Sequence, residues 1–255
     1  MIISRLNKLA RKLVIPRKHL ERSKIKASLK NLEKKINAHF DTKVSKLIYF
    51  GSWTRNTLLP RKYDPSSDID LMVVFNTDNK ELLPVTYRNQ LKSFLEQNYP
   101  RNFCKKDLPV VRLELNHIKI ELVPAINGYA YDNRLFYDIP KNQEYWQETE
   151  PNDLNAELTQ ANQYYGRNLV RSILRLMKYW NASHNYPWES YLLEKEIVDL
   201  NFRGEDIYSG FLYALNEVGA NIPKVRQALD WIENYQSKND REKELLWMRK
   251  LLPEL

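Results

Sequence analysis

Two aspartates separated by a single residue are the first candidates for chemistry in this sequence. Asp68 and Asp70 flank Ile69 at the start of the apolar segment IDLMVVF, whose composition predicts a β-strand. Because side chains alternate along a strand, both carboxylates lie on one face and the apolar side chains on the other. Adjacent carboxylates repel each other unless a hard cation such as Mg²⁺ lies between them. The pair therefore predicts a divalent-metal site.

A third acid, Glu121, lies in a later segment, IKIELV, that also predicts a strand. Its alternation puts Ile118, Ile120 and Leu122 on one face and leaves Glu121 on the other. Three carboxylates can hold two metal ions roughly 3.5–4 Å apart, an arrangement used in phosphoryl transfer. An isolated Asp-x-Asp is weak evidence, since aspartates at strand ends are common in turns and caps. Supporting context comes from the segment before the aspartates.

That preceding segment contains a Gly-Ser pair. Gly51 and Ser52 close a short predicted strand and open a short helical stretch, SWTRNTLL, ahead of a loop that leads to Asp68. A glycine lets a phosphate approach the backbone, and a serine hydroxyl and exposed N–H groups can donate to an anion. The alternative is an ordinary turn in which Ser52 caps the helix.

The elements that position these residues alternate between helix and strand in the first part of the chain. A long amphipathic helix is predicted for residues 18–40, and a second helix for residues 81–98. The predicted strands are residues 47–50, 69–75 and 110–123, the last with a break near 116–117. This order favours an α/β lobe.

After about residue 145, nearly every segment has helical periodicity. Residues 129–153, with Pro140, Pro151 and several Asn and Asp residues, are predicted to connect two lobes. The predicted helices of the second lobe are residues 161–182, 191–200, 207–218, 225–235 and 241–252. We therefore expect two domains, residues 1–145 and 146–255.

Composition limits the classes of protein to which the chain can belong. Its 255 residues, 43% of them hydrophobic, are typical of a globular protein, and no apolar run is long enough for a membrane span. The single cysteine, Cys104, excludes an internal disulfide framework and a Cys-based zinc site, and the four histidines are scattered. We expect a cytoplasmic protein with no membrane partner.

Positive charge is concentrated at the amino terminus. The net charge is +8, and residues 1–35 hold twelve Lys or Arg against Glu21 and Glu33, a local balance of +10. Such a region predicts a phosphate-rich or acidic partner, such as nucleic acid or a regulatory protein. The alternative is a helix face that contacts only solvent.

The order strand, Gly-Ser, helix, loop, Asp-x-Asp strand and later acid resembles the polymerase-β-like nucleotidyltransferases. GSWTRNTLLPRKYDPSSDIDLMVVF resembles the segment that binds triphosphate and metal in that family, and IELVPAI resembles the one that carries the third acid. Relatives often have glycine or another small residue at the position of Asn56. The segments PKNQEYWQETEPND, NLVRSILRLMKYWN and WESYLLEKEIV are similar to those of the CD-NTase group, the SMODS-type enzymes related to cyclic GMP-AMP synthase, DncV and the oligoadenylate synthetases.

This resemblance, which covers about residues 45–200, implies an α+β fold. A polymerase-β-like lobe with a mixed sheet and helices would be followed by an oligoadenylate synthetase-like helical lobe, with the active site in the cleft between them. Asp68, Asp70 and Glu121 would be catalytic and would bind two Mg²⁺ or Mn²⁺ ions. Gly51 and Ser52 would bind the nucleotide.

The resemblance also assigns three residues of the helical lobe to the nucleotide. Lys178 would contact the triphosphate, Ser190 would assist it, and Tyr191 would stack on a nucleobase. From the residues alone, Lys178 continues a basic stripe from Arg167 that is typical of a solvated helix face. Tyr191 fits a core position equally well.

The implied function is metal-dependent synthesis of a cyclic or linear oligonucleotide second messenger from NTPs, typically in bacterial antiphage defence (CBASS). One alternative is transfer of a nucleoside monophosphate to tRNA, another RNA or a protein. Another is a non-catalytic nucleotide- or RNA-binding module of the same fold, although a pure binder has no need for three acids together. An aminoglycoside-modifying enzyme is disfavoured by the segments of the helical half.

Overall fold

The computed structural model describes residues 2–16, 19–77, 82–129 and 135–255. Helices and strands are mixed in its first part and helices follow alone. In chain order the elements are α1 (Ile2–Lys12), α2 (Leu20–Phe40), a 3₁₀ turn (Asp41–Lys43), β1 (Val44–Phe50), α3 (Gly51–Arg55), β2 (Asp68–Phe75), α4 (Pro84–Asn98), β3 (Phe103–Lys106), β4 (Val111–Glu114), β5 (Lys119–Tyr129), β6 (Leu135–Pro140), β7 (Trp146–Thr149), α5 (Asp153–Tyr165), α6 (Leu169–Ser183), α7 (Ser190–Asp199), α8 (Ile207–Gly219), α9 (Pro223–Ser237) and α10 (Arg241–Leu251). No described helix combines the length and the apolar character that a bilayer span needs.

The chain forms two compact units whose boundaries differ from the expected division at residue 145. The sheet unit consists of Pro16–Arg55 and Ser67–Asp153, and the helical unit consists of Met1–Ile15, Asn56–Ser66 and Leu154–Leu255. Helix α1 belongs to the helical unit because its apolar residues Ile2, Leu6 and Leu9 are buried in the same core as α6 and α8. The basic residues at the amino terminus are therefore divided between the two units.

Within the described ranges, the sheet unit is built around a seven-stranded mixed sheet. Its order is β1-β2-β5-β4-β3, and β6 and β7 extend it from the second half of β5. Strands β2 and β5 are parallel, whereas the other pairs of this sheet are antiparallel. In the parallel pair, Asp70 lies opposite Glu121. This register brings the two aspartates and the third acid to neighbouring strands.

Apolar side chains attach the helices of this unit to the sheet. The buried face of α2 has the predicted spacing of three and four residues and consists of Ile25, Leu29, Leu32, Ile36 and Phe40. The ring of Phe40 lies 5.4 Å from that of Phe75, at the end of β2, and 5.4 Å from that of Phe94 in α4. These contacts hold both helices against the strand that carries the aspartates.

The helical unit includes the loop Asn56–Ser66, which is held by side chains of two other segments. Arg175, in α6, donates from Nε (3.0 Å) and Nη2 (2.7 Å) to the backbone oxygen of Asn56. The hydroxyl of Tyr186 donates to Oδ1 of the buried Asp64 over 2.7 Å. The loop that leads to β2 in sequence is thus an ordered part of the helical unit.

The helix predicted for residues 161–182 is interrupted in the structure, so that this prediction was partly wrong. Gly166, Arg167 and Asn168 have positive φ angles of 70°, 50° and 57°. A right-handed helix cannot contain such residues, so α5 ends before them and α6 begins after them. Apolar periodicity alone did not reveal this break.

The predicted connection at residues 129–153 was also wrong, because it contains β6 and β7. Helix α1 and strand β3 were not predicted. The predicted break near residues 116–117 is confirmed, since β4 ends at Glu114 and β5 begins at Lys119. Residues 18 and 81, where two helices were predicted to start, lie outside the described residues, and α2 and α4 begin at Leu20 and Pro84.

Candidate active site

Strand β2 presents Asp68 and Asp70 on one face, as the alternation predicted. Both residues are half-buried, whereas Ile69 and Leu71, on the opposite face, are fully buried. The strand lies between β1 and β5 and is hydrogen-bonded to both. The two carboxylates are therefore carried by a rigid element.

Gly51 lies directly beside the carboxylate of Asp70. It follows β1, whose last residue, Phe50, is paired with Asp70. Its φ is +69°, and a Cβ placed on it would overlap Oδ2 of Asp70. Only glycine fits this position, because a side chain would suffer both backbone strain and a collision. The next residue, Ser52, is buried in α3. The predicted phosphate-binding segment thus adjoins the predicted metal-binding pair.

Glu121 is paired with an arginine, Arg112, whose role the sequence pattern did not indicate. Arg112, on β4, lies opposite Glu121 and donates to its Oε1 from Nε (2.9 Å) and Nη2 (2.6 Å). Its Nη1 lies 3.4 Å from Oδ2 of Asp107. Burial alone would lower the pKa of Arg112, but the hydrogen bond to Glu121 and the charges of Glu121, Asp107 and Asp68 raise it. A permanent positive charge therefore lies among the acids.

The acids offer the oxygen ligands that Mg²⁺ and Mn²⁺ prefer. Within the part of the chain that the structure describes, no three His, Cys, Asp or Glu side chains are grouped so as to hold an ion. Glu121 is bound to Arg112 instead. Asp68 and Asp70 fit a divalent ion by position and chemistry, and Glu121 would join them by exchanging Arg112 for the ion.

The helical unit contains the other three predicted nucleotide contacts. Lys178, in α6, is 6% exposed, and its Nζ lies 2.8 Å from Oε1 of Glu194, which is 1% exposed. The hydroxyl of Thr57 lies 3.3 Å from both oxygens of the same carboxylate. Ser190 and Tyr191 begin α7 and are exposed, Tyr191 by 42%. Tyr191 is thus not a core residue.

The basic stripe of α6 is not a solvated face. Arg175 is buried and bonded to the backbone of Asn56, and burial lowers its pKa to about 10. Arg171 donates from Nη2 to the hydroxyl of Thr159 over 2.9 Å. Arg167 precedes the helix, in the turn with positive φ. The arginines at 171 and 175 hold neighbouring segments in place.

A match to a family model shows to which protein family the chain belongs. Residues 2–162, more than half of the chain, match the model of the SMODS domain, the Second Messenger Oligonucleotide or Dinucleotide Synthetase domain. The chain belongs to the SMODS family. The matched region includes both aspartates, Glu121 and the Gly-Ser pair.

A curated relative of this SMODS chain is a probable cyclic nucleotide synthase of Bacillus cereus (strain VD146). The two are 26% identical over 60% of this chain and 55% of the relative. The chain therefore spans about half the length of the curated relative that it matches.

Solved structures of CD-NTases share the fold of this SMODS chain. CdnC of E. coli MS115-1, solved with ATP, matches 97% of this chain and 96% of its own with a TM-score of 0.69 and 15% identity. CdnG of Bradyrhizobium diazoefficiens, in complex with GTP, matches 93% of this chain and 79% of its own with a TM-score of 0.66 and 12% identity. The predicted polymerase-β-like fold is confirmed.

Proposed function

We propose that this SMODS chain is a metal-dependent nucleotidyltransferase that converts NTPs into a cyclic or linear oligonucleotide second messenger. The observation that carries the proposal is the close approach of Gly51 to Asp70, because it brings backbone that a phosphate can reach beside a pair of metal-binding acids. The family match, and the ATP and GTP in the related CD-NTase structures, support NTPs as substrates.

Asp68 and Asp70 would hold the divalent ions, with Glu121 as the third ligand. Bound Mg²⁺ or Mn²⁺ would neutralise the triphosphate and activate the attacking hydroxyl. Gly51 would contact the triphosphate through its backbone and Ser52 through its hydroxyl. Because β2 is paired on both sides, its backbone holds the two aspartates in place before an ion binds.

The proposed reaction is nucleotidyl transfer to a ribose hydroxyl. The hydroxyl oxygen of the acceptor forms a bond to the α-phosphorus of an NTP, and the bond between that phosphorus and pyrophosphate breaks. Glu121 is the candidate acceptor for the hydroxyl proton.

In the helical unit, we assign Lys178 to the triphosphate, with Ser190 assisting. Glu194, whose carboxylate also accepts from the Thr57 hydroxyl, holds the Lys178 ammonium, which would exchange the carboxylate for a phosphate on binding. The exposed ring of Tyr191 suits stacking on a nucleobase, which is worth about 1–3 kcal/mol per base.

A cytoplasmic location and a role in antiphage defence of the CBASS type are further parts of the proposal. Second-messenger synthesis, the activity that names the family, supports the defence role. The half-buried free thiol of Cys104 fits a reducing compartment.

Transfer to RNA is the second candidate, and the exposed face of α2 favours it. Lys24, Lys26, Lys30 and Lys34 are all exposed on this helix. A basic surface of this kind attracts a polyanion or an acidic regulatory protein.

The two candidates differ in the acceptor. The purified chain is incubated with Mg²⁺ and the four α-labelled NTPs, first alone and then with total tRNA or with acceptor protein. We expect a labelled small product from NTPs alone, unchanged when RNA or protein is added. Label that enters only tRNA or only protein would contradict oligonucleotide synthesis and favour the alternative.

A further inference from the structure

The helical unit contains a cavity of about 450 Å³ among the end of α6, the start of α9 and the end of α10. A volume of this order is typical of small-molecule sites. None of the lining residues is among those assigned above to the metal ions or the nucleotide. The cavity is therefore lined by residues other than those proposed for the reaction.

The walls of this cavity combine apolar residues with positive charge. Trp180 and Trp247 line it, together with aliphatic residues, and Lys224 and Lys250 are its charged members. Among the described residues that line it, none is Asp or Glu. The ammonium of Lys250 lies 3.4 Å from the ring centroid of Trp247, which places charge directly over an aromatic wall. Such a lining favours an anion over a cation.

The first turn of α9 adds to this preference. Ile222, the N-cap residue, offers no side-chain hydrogen bond, and Pro223 follows it. The partial positive charge of a helix N-terminus favours an anion. Ile222 and Lys224 both line the cavity, so the helix end and a lysine act on the same space.

The cavity is framed by fixed side chains. The ring nitrogens of His184 lie 2.8 Å from the backbone oxygen of Trp180 and 3.1 Å from that of Lys250, which ties α6 to α10. Trp231 stacks on Trp247 with ring centroids 5.8 Å apart and planes 13° apart. A site that is already formed does not require its side chains to be ordered on binding.

We propose that this cavity binds a small anion that carries a flat aromatic ring, with the anion held by Lys224 and Lys250 and the ring against the apolar part of the lining. The ligand is either a nucleotide or a non-nucleotide aromatic acid. Its binding is independent of nucleotidyl transfer, so that this proposal can fail while the proposed function stands.

The test uses two fluorescent probes that differ in charge. 1-Anilinonaphthalene-8-sulfonate has aromatic rings and a negatively charged sulfonate. N-phenyl-1-naphthylamine has the same rings without the sulfonate. We expect Lys224→Gln/Lys250→Gln to weaken binding of the sulfonate probe roughly fivefold and to leave the uncharged probe unchanged. The matched control is Lys195→Gln/Lys238→Gln, which removes two exposed lysines outside the cavity and should change neither affinity.

A second variant tests whether the probes bind inside the cavity, by filling its space. Ala228 is buried and lines the cavity. In the variant Ala228→Phe the larger side chain should fill the cavity, so that both probes lose saturable binding. Circular dichroism establishes whether this variant folds, and the lysine variants decide alone if it does not. Equal sulfonate-probe affinity in the cavity and control lysine variants overturns the proposal.

Displacement of the sulfonate probe identifies the source of the ligand. Displacement by AMP supports a nucleotide, and displacement by 1-naphthoate alone supports a non-nucleotide aromatic acid. If neither compound displaces the probe, the proposed ligand class is wrong.

Discussion

At the scale of the residue, the backbone conformation of Gly51 places it against the carboxylate of Asp70, a candidate metal ligand. Its positive φ and its contact with Asp70 leave no room for a side chain. The pattern of strand, Gly-Ser and Asp-x-Asp predicted this segment because each feature is local in the sequence. The collision with Asp70 was not predictable, since it depends on the register of β1 against β2.

We predict that Gly51→Ala lowers activity by about 10²-fold or more, because the methyl group displaces the Asp70 carboxylate. Its backbone strain should also reduce the free energy of unfolding by about 1–2 kcal/mol. Gly166→Ala is the matched control, with a φ of +70° and no atom within 4 Å of the added Cβ. Steady-state kinetics and urea unfolding measure both variants. Equal losses of activity would contradict the role of Gly51.

Arg112 was missed for a similar reason. Alternation puts Arg112 and Glu114 on one face of β4, but only the register of β4 against β5 shows that Arg112 meets Glu121. In the described structure this arginine neutralises the acid that we propose as the third metal ligand.

We predict that Arg112→Gln tightens Mn²⁺ binding by about three- to tenfold, because it removes a positive charge beside Glu121 and Asp68. Electron paramagnetic resonance of free Mn²⁺ measures the affinity without requiring activity. Arg112→Lys keeps the charge and serves as the control. An unchanged Mn²⁺ affinity in Arg112→Gln would show that Arg112 does not oppose metal binding.

At the scale of the element, α6 is bonded to other segments of the helical unit. Its Arg175 holds the Asn56 carbonyl, and its Lys178 pairs with Glu194 of α7. The sequence predicted a helix here from apolar periodicity, but it did not show that the basic residues are buried. Periodicity reports the apolar face, whereas burial of the other face depends on the segments packed against it.

We predict that Glu194→Gln destabilises the chain by about 3–5 kcal/mol, because it leaves the buried Lys178 ammonium without its counter-charge. Lys178→Met/Glu194→Met should recover most of that loss, since it removes both charges. Urea unfolding measures the difference. Equal destabilisation by the single and the double variant would argue that the carboxylate does not compensate Lys178.

The backbone at Asn56 adopts a left-handed conformation that favours glycine. Asn56 has a φ of 57°, and Arg175 bonds its backbone oxygen, which any residue provides. We predict that Asn56→Gly leaves stability within about 0.5 kcal/mol, whereas Asn56→Ala loses about 1 kcal/mol or more. Thermal unfolding of both variants checks this. A large loss in Asn56→Gly would mean that the asparagine side chain is itself required.

At the scale of the whole molecule, the two units do not follow the order of the chain. Helix α1 and the loop Asn56–Ser66 belong to the helical unit although the sheet unit lies around them in sequence. A division by local pattern could not predict this, because assignment of a segment to a core is decided by distant contacts. Strands β6 and β7 were missed because they lack a clear alternation of buried and exposed residues.

The net charge of +8 predicts salt-dependent binding of polyanions, with α2 as a principal contact. Replacing Lys24, Lys26, Lys30 and Lys34 by Gln should reduce the slope of log affinity for single-stranded RNA against log salt by up to about three, at about 0.7 for each lost phosphate contact. Fluorescence anisotropy of labelled RNA measures the slope. An unchanged slope would mean that this face contacts only solvent.

The most direct test of the central claim is the product formed by the intact chain and by Asp68→Asn/Asp70→Asn. Each protein is incubated with Mg²⁺ or Mn²⁺ and the four α-labelled NTPs, treated with phosphatase, and the products are resolved. We predict a phosphatase-resistant oligonucleotide from the intact chain and at least about 10²-fold less from the variant, with unchanged circular dichroism. Equal product from both proteins, or no resistant product from the intact chain with any NTP, would contradict nucleotidyl transfer at these aspartates.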